Sequence, residues 1–460
     1  MKQTLGNITF LIILVISNFG YRTNAQKPII QTKYTADPAP MVYNDTVFLY
    51  TTHDEDDADG FKMFDWLLYT STDMVNWTDH GAIASLKSFE WVKRDNGAWA
   101  AQCIERNGKF YLYCPMHGSG IGVLVADSPY GPFKDPLGKR LVESTHNIWV
   151  DIDPSPFIDE DGQAYLFWGN PAVWYIKLNE DMISCKGEVI SVPMTHEAFG
   201  KREGNNPDRP TRYEEGPWVW KHNGNYYVAY ASICCPEGIE YSMSKSPEGP
   251  WEYKGDIMSR TPKTRGNHPG IIEYKGQNYV FGLNYDLLRY YTTQHHERRS
   301  VSVAPMYYNP DGTIQEVPYF LETKTEQIET FNPYRRVEAE TMAWGLGLKT
   351  EKFPHGGLYV TKIDDCDTLC VRGVDFGTKG AKKFTISAAC IEEGGTIEIR
   401  LDNTDGPIIG TMEVQTTGGT DKYKNMTCKV KNATSVHDLW FVFKGKSKND
   451  LFNIDWWKLL

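Results

Sequence analysis

Residues 107–113 read N-G-K-F-Y-L-Y. An Asn-Gly turn opening onto a run of alternating aromatic and aliphatic residues is a strong short-range signal for a β-hairpin. The same phrase recurs as N-D-T-V-F-L-Y (44–50), D-G-Q-A-Y-L-F (161–167), N-G-N-Y-Y-V-A (223–229) and K-G-Q-N-Y-V-F (275–281). The starts repeat roughly every 50–65 residues, room for four short strands and their loops. A weaker second pattern follows the repeats, as in S-T-D-M-V-N-W-T (71–78), D-S-P-Y-G-P-F-K-D (127–135) and K-S-P-E-G-P-W-E-Y (245–253), and reads as the outer hairpins of the same sheets. Helical periodicity is nearly absent between them. The expected fold is therefore all-β, with five four-stranded sheets set radially as a five-bladed β-propeller over 26–320. Five unrelated hairpins in a sandwich are the alternative.

Counting back seven or eight residues from each turn gives Asp37, Trp99, Asp153, Glu215 and His268. Each stands near the beginning of its innermost strand, so the five should converge at one mouth of the central channel. Prolines keep the same register, in Asp37-Pro38, Asp153-Pro154, Glu215-Gly216-Pro217 and His268-Pro269. Proline is tolerated at strand starts and restricts the backbone of the residue before it. Three converging carboxylates resist joint ionisation in a partly desolvated site. Two uses remain open for such a cluster, metal binding or paired acid/base chemistry. In Y-E-E-G-P-W (213–218), strand alternation sends Glu215 into the channel and Glu214 away, toward a basic partner such as Arg212.

The 460 residues allow two or three domains. Aromatics are abundant at 13%, with 27 Tyr and 14 Trp, which suits β-structure and equally the flat faces of sugar rings. A net charge of −11 argues against nucleic acid or anionic membrane as partners and is neutral toward glycans. Lys2, the apolar run I-T-F-L-I-I-L-V-I-S (8–17) and T-N-A before Gln26 read as a signal peptide over 1–25, implying export to periplasm or exterior. That run is too short to span a bilayer, and no other segment reads as transmembrane. Nine cysteines, an odd number, exclude a disulfide scaffold; Cys234, Cys235, Cys366 and Cys370 are expected as buried thiols. The pair His295-His296 and the acidic run D-E-D-D (54–57) are expected as solvated loops, the latter with the option of rimming a pocket.

Taken together, A-D-P-A-P, D-I-D-P-S-P-F-I-D-E-D-G, Y-E-E-G-P-W, Y-A-S-I-C-C-P-E-G-I, N-H-P-G-I-I-E-Y-K-G and R-R-S-V-S-V-A-P-M-Y-Y-N-P-D-G resemble glycoside hydrolase family 43 across roughly 30–320. Within it, the likeness is greatest to arabinoxylan arabinofuranohydrolases and related xylan enzymes. The resemblance implies an inverting exo-glycosidase, with Asp37 as general base, Glu215 as general acid and Asp153 tuning the acid. It implies Arg299, rather than Arg298, beside the acid and the sugar, Trp99 as a wall of the terminal-sugar subsite, and His268 on the axis near a calcium reached through water. The expected substrate is arabinoxylan or a xylo-oligosaccharide, losing α-L-arabinofuranosyl groups. β-Xylosidase or dual activity is the alternative within the class, and a non-catalytic glycan-binding propeller the alternative outside it. No organic cofactor is implied. For an inverting pair, the carboxyl groups of Asp37 and Glu215 should stand ~6.5–9.5 Å apart. The segment 284–297 departs from the glycine-rich loop of related enzymes and is expected to border the pocket.

After N-P-D-G-T-I (309–314) the repeats stop, and 321–333 reads as a polar connector. From 334 to 460 short alternating runs with Gly/Asn turns indicate an antiparallel sandwich. V-E-A-E-T (337–341), I-E-I-R-L-D, T-T-G-G (416–419) and L-F-N-I-D-W-W (451–457) resemble a family 6 carbohydrate-binding module. The resemblance implies a structural calcium at Glu338, Glu340 and Asp455, oxygen ligands suited to that ion, and a glycan contact at Asn453. Where xylan-binding modules carry Trp after T-T-G-G, this chain has Thr420, and C-D-T (366–368) replaces a G-D-W-like stretch. The expectation is either a weak binder or a module retained to buttress the propeller.

Overall fold

The computed structural model describes residues 28–142, 151–204, 206–262, 265–446 and 450–460. The leader expected at 1–25 lies outside these residues. Five small antiparallel sheets follow one another along the first part of the chain, as the repeats require. The first holds Tyr34–Tyr43, Thr46–Asp54, Asp65–Ser71 and Trp77–Ser85, the third Ser155–Ile158 to Cys185–Ser191, and the fourth Tyr213–His222 to Glu252–Met258. Among the described residues, the second (Gln102–Arg106, Lys109–Met116, Gly120–Ala126) and fifth (Gly270–Tyr274, Gln277–Asn284, Ser300–Met306) have three strands each, not the expected four.

The fourth position is filled differently in those two. Among the described residues, the outer edge of the second sheet carries isolated bridges, Val125 with Lys134 and Ile121 with Val142. In the fifth, the segment before the first blade closes the ring: Ile29 N–H donates to Val301 O at 2.9 Å, and Thr35 N–H to Arg299 O at 3.0 Å. The turns behave as their residues demand. Asn107-Gly108 and Asn223-Gly224 both take positive φ at the two turn positions (54° and 74°, 47° and 73°), the conformation that twists with the strands.

Residues 337–459 form two packed sheets. One orders Lys349–Lys352, Leu358–Thr361, Asn453–Leu459, Lys383–Cys390 and Gly419–Lys429; the other Trp344–Leu346, Thr368–Asp375, Val436–Lys444, Gly395–Leu401 and Ile408–Val414. Val360, Val371, Phe384, Ile397, Ile399, Leu439 and Phe443 fill the space between them. The polar passage 321–333 is strapped down on both sides: Ile328 N–H reaches Asp73 O (3.1 Å) and Phe331 N–H reaches Gly373 O (2.8 Å).

The sandwich and the propeller share a sheet edge. Thr341–Met342 pairs with Trp77 and Thr78 on the outer strand of the first blade. Beside that ladder, buried Asp79 accepts from Lys33 Nζ at 2.9 Å and from the Thr350 hydroxyl at 2.6 Å. Burial opposes the charge of Asp79, but Lys33, Thr350 and the Gly81 N–H outweigh it and hold the carboxyl below its ordinary range. Its stabilisation is thus in place at neutral pH and lost only as pH falls below that range.

Two expectations about cysteine are corrected. Cys234 and Cys235 are joined by a disulfide at the exposed turn after Asn225–Ser232, where neighbouring sulfurs meet, and are not buried thiols. Cys366 is exposed on a loop, while Cys370 is buried within a strand. No described helix is long and apolar enough to cross a membrane.

Replacing Asp79 by Ala strands the Lys33 ammonium at the seam. Removing one partner of a buried pair costs about 3–5 kcal/mol, so the thermal midpoint of Asp79→Ala should fall by several degrees in a calorimetric scan at pH 7. An unchanged midpoint means the seam contributes nothing.

Candidate active site

Backbone irregularities aim the side chains at the axis. The first-blade strand carries a bulge between Ala36 and Ala39, and Asp37 sits in it with φ 50°. The fourth-blade strand shifts register on both sides of Glu215. Bulges bend a strand and redirect the residue they carry. Asp153, with φ 59°, precedes the third blade's inner strand, and its Oδ2 accepts from the Gly216 N–H at 2.9 Å. Gly216 has φ 66°, and a Cβ there would stand 2.9 Å from His268 Nδ1. Only glycine lets the strand that bears Glu215 pass so close to the imidazole.

One cavity is lined by Asp37, Phe61, Met63, Trp99, Ile152, Asp153, Glu215, His268 and Arg299. All six residues that sequence spacing or resemblance assigned to the propeller site therefore meet there. Arg299 organises the floor. Its backbone N–H and Nε donate to Asp54 Oδ2 (2.8 and 2.9 Å), Nη2 donates to Asp54 Oδ1 (2.8 Å), and Nη1 reaches Asp37 Oδ1 (3.2 Å). Asp37 also accepts from the Thr52 hydroxyl at 3.0 Å and lies 3.8 Å from His268 Nδ1. Trp99 forms a wall, its ring 4.1 Å from His117 and 6.5 Å from Phe61, and Phe61 covers the Arg299 guanidinium.

The carboxyl groups differ in environment. Burial, then the charges of Glu215 and Asp37, push Asp153 well above the ordinary carboxylate range. Burial also raises Glu215, the Asn170 amide opposing and the charges of Asp37 and Glu214 reinforcing it. Burial keeps His268 neutral, below its usual value. Against the desolvation that burial brings, Asp37 and Asp54 hold Arg299 charged. The pocket can thus hold a proton on one carboxyl while another faces a fixed cation, the division that acid and base roles need.

Several expectations are revised. Glu214 does turn away from Glu215's pocket, but it is buried and pairs with Arg202 and with Arg209 (2.5 Å), not with Arg212, which binds Glu240. The acidic run is not one solvated loop: Asp54 is fully buried, while Asp57 is exposed on Lys62 and Asp56 pairs with Lys349 of the sandwich. Segment 284–297 lines no part of the cavity. It folds into the short helix Asp286–Tyr291, buries Leu287 and Leu288, and lays Tyr290 against Trp344 of the sandwich. His295 and His296 lie on its exposed side beside Glu297 and Asp59.

Sequence reading missed Phe61, Asn170 and Glu237, and took Asp54 only as part of an acidic loop that could rim the pocket. Asp54 had a signal, since it shares strand parity with Thr52, which holds Asp37. Glu237 is buried, and burial followed by the charge of Glu215 raises its carboxyl. It accepts from the Asn267 N–H at 2.7 Å, and Asn267 Oδ1 in turn accepts from the His268 N–H at 3.0 Å.

In the sandwich, Arg336 donates to both oxygens of Glu338 (2.8 Å each) and to Asp455 (2.9 Å). Glu340 is buried with Oε2 unpartnered, and burial first, then neighbouring charge, pushes its carboxyl up to about 9. Asn453 Nδ2 donates to Thr420 O at 3.3 Å, beside a cluster of Phe353, Tyr359 and Tyr423.

A propeller with this pocket, joined to such a sandwich, defines a glycoside hydrolase with an appended carbohydrate module. Residues 25–314 match the glycosyl hydrolases family 43 profile and 338–460 the carbohydrate binding module (family 6) profile. The chain belongs to glycosyl hydrolases family 43. It is 34% identical to an arabinoxylan arabinofuranohydrolase of Bacillus subtilis (strain 168), over 94% of this chain and 91% of the relative. A crystal structure of a family 43 arabinoxylan arabinofuranohydrolase from Bacillus subtilis, in complex with cellotetraose, superposes with a TM-score of 0.81 at 32% identity, covering 95% of this chain and 97% of that one. A β-xylosidase/α-arabinofuranosidase from a compost microbial metagenome, solved with xylotriose in calcium-free form, covers 64% of this chain and 97% of its own at 26% identity and a TM-score of 0.55.

Asp54 holds Arg299 without lining the cavity. Asp54→Asn removes one of its two anionic acceptors. It should lower kcat/KM on the order of 100-fold, because small misplacements of a site group are that costly. Activity within about threefold of the parent would show that Arg299 is placed by other contacts.

Proposed function

We propose that the enzyme is an inverting exo-glycosidase that releases α-L-arabinofuranosyl groups from arabinoxylan. One observation carries this reading: a single cavity joins Asp37, which faces the Arg299 guanidinium, to a buried pair of carboxyls, Asp153 and Glu215, both raised. Similarity to arabinoxylan arabinofuranohydrolases over nearly the whole chain supports the substrate.

Glu215 is the general acid. Its proton passes to the glycosidic oxygen as the C1–O bond breaks, and the bonding pair stays with the departing oxygen. A water adds to C1 from the other face and yields its proton to Asp37, the general base. Asp153 keeps the acid protonated by placing a second carboxyl in the same dry site. Arg299 restrains Asp37 and lies beside the sugar, with Trp99 as the wall of its subsite. A second reading, xylosidase or dual activity, draws on the likeness to a β-xylosidase/α-arabinofuranosidase. Rates on nitrophenyl arabinofuranoside and nitrophenyl xyloside separate the two. Export through the leader at 1–25 completes the proposal.

Calcium is implied at two places. At the axis, His268 offers one neutral nitrogen with Asp37 3.8 Å away, and among the described residues it belongs to no group of three or more ligand atoms within 4.8 Å of one another. It fits a cation reached through water. In the sandwich, the unpartnered buried oxygen of Glu340 fits a hard cation, and the charges of Glu338 and Asp455 act on it, but Arg336 occupies those two and among the described residues the three do not form a group of ligand atoms within 4.8 Å of one another. Calcium there would supply structural cross-linking. The sandwich also serves as a buttress, through Lys349 on Asp56 and Trp344 on Tyr290.

Three outcomes are expected. Glu215→Gln should lose nearly all activity on arabinoxylan, and NMR of the first-formed sugar should find inverted configuration; wild-type rates or retention refute the assignment. Asp153→Asn removes a neighbouring carboxyl, so the acid loses its proton at lower pH and the alkaline limb of the pH–rate profile should move down; an unmoved limb removes Asp153 from this role. Calcium at about 100-fold above its Kd should stabilise by ~2.7 kcal/mol, seen as a raised thermal midpoint that Glu340→Gln abolishes.

A further inference from the structure

Asn170 lies just outside the cavity, at the end of the third blade's strand Ala164–Trp168. It is buried, and its Nδ2 donates to Glu215 Oε2 at 2.6 Å. Its Oδ1 accepts from Arg209 Nη2 at 2.8 Å. Arg209 faces Glu214 through Nη1 at 2.5 Å. The second oxygen of Glu214 accepts from Arg202 and from the Cys234 N–H (3.3 Å). The backbone before Asn170 is pinned as well: Gly169 N–H donates to Ile152 O (2.9 Å), and Gly169 O accepts from the Tyr213 hydroxyl (2.6 Å).

A side-chain amide has two faces of opposite character, and a free one next to a protonated carboxyl could turn either. Arginine only donates. With a guanidinium on one side, the amide must turn its oxygen to Arg209 and its hydrogens to Glu215. Glu215 Oε2 is thereby committed as an acceptor, the role a carbonyl oxygen fills better than a hydroxyl. The acidic proton is left on Oε1. The reverse amide orientation would accept that proton and tie it up away from the glycosidic oxygen.

We infer that Asn170, locked by Arg209 and Glu214, is a positioning residue that dictates which oxygen of Glu215 carries the catalytic proton. This rests on Glu215 being the acid. The other glutamate of Y-E-E-G-P-W also gains a purpose, because Glu214 holds the arginine that orients the amide that orients its neighbour.

The test compares arabinoxylan, whose leaving sugar hydroxyl needs protonation, with nitrophenyl arabinofuranoside, whose leaving group needs little. Asn170→Asp keeps the shape, pairs with Arg209 and has no hydrogen to give Glu215. Its kcat on arabinoxylan should fall on the order of 100-fold, with KM within about threefold and a loss under about tenfold on the aryl substrate. Arg209→Met, which frees the amide to flip, should repeat the split at roughly tenfold, and Arg209→Lys, which still donates, should restore it. Equal losses on both substrates, losses carried by KM, or parental rates overturn the inference. If Asn170→Asp does not fold, the Arg209 pair decides alone. Glu215→Gln is the control. If it stays active on arabinoxylan, the acid assignment itself fails; if it is inactive while Asn170→Asp is normal, only the positioning role fails.

Discussion

A buried guanidinium holds the centre of this molecule. Carboxyl groups gathered around one axis repel one another, and low polarity sharpens the repulsion. Arg299 resolves it asymmetrically. Two of its side-chain nitrogens and its backbone amide are taken by Asp54, leaving Nη1 for Asp37. The charge of Asp37 is thereby compensated, while burial raises the proton affinity of Asp153 and Glu215, which share one dry site and resist joint ionisation. The chemistry proposed for the pocket follows from that inequality.

The surrounding architecture serves to keep the inequality in place. Bulges at Asp37 and around Glu215, and left-handed backbone at Asp37, Asp153 and Gly216, turn short strand ends inward. Around them, buried polar groups are themselves restrained. Asn267 holds His268, Thr52 holds Asp37, and the Arg209–Asn170 pair holds Glu215. The sandwich extends this restraint from outside, through the strand shared with the first blade and through Lys349 on the loop that follows Asp54.

Much of the fold is legible in the chain because it depends on local rules. Turn residues with positive φ, period-two alternation and a recurring interval name hairpins, sheets and their number. Register from the turn names the residue at each strand's inner end, which is why Asp37, Trp99, Asp153, Glu215 and His268 can be found together. The strand count of the second and fifth blades is not legible in this way, because an outer position can be filled by isolated bridges or by a segment before the first repeat. The disulfide between adjacent cysteines is hidden for a related reason: spacing alone does not distinguish a buried strand from an exposed turn.

Tertiary structure alone decided the partners. Asp54 and Arg299 are 245 positions apart, and Glu214 chose Arg202 and Arg209 over the nearer Arg212. Segment 284–297 packs Leu287 and Leu288 with Tyr34 and Tyr285 and lays Tyr290 on Trp344 of the sandwich, away from the pocket lining. Backbone preference is settled within a few residues, so the chain announces its strands and the inner end of each. Charge pairing, amide orientation and proton affinity depend on what approaches through space, and only the closed ring of blades brings those groups within reach.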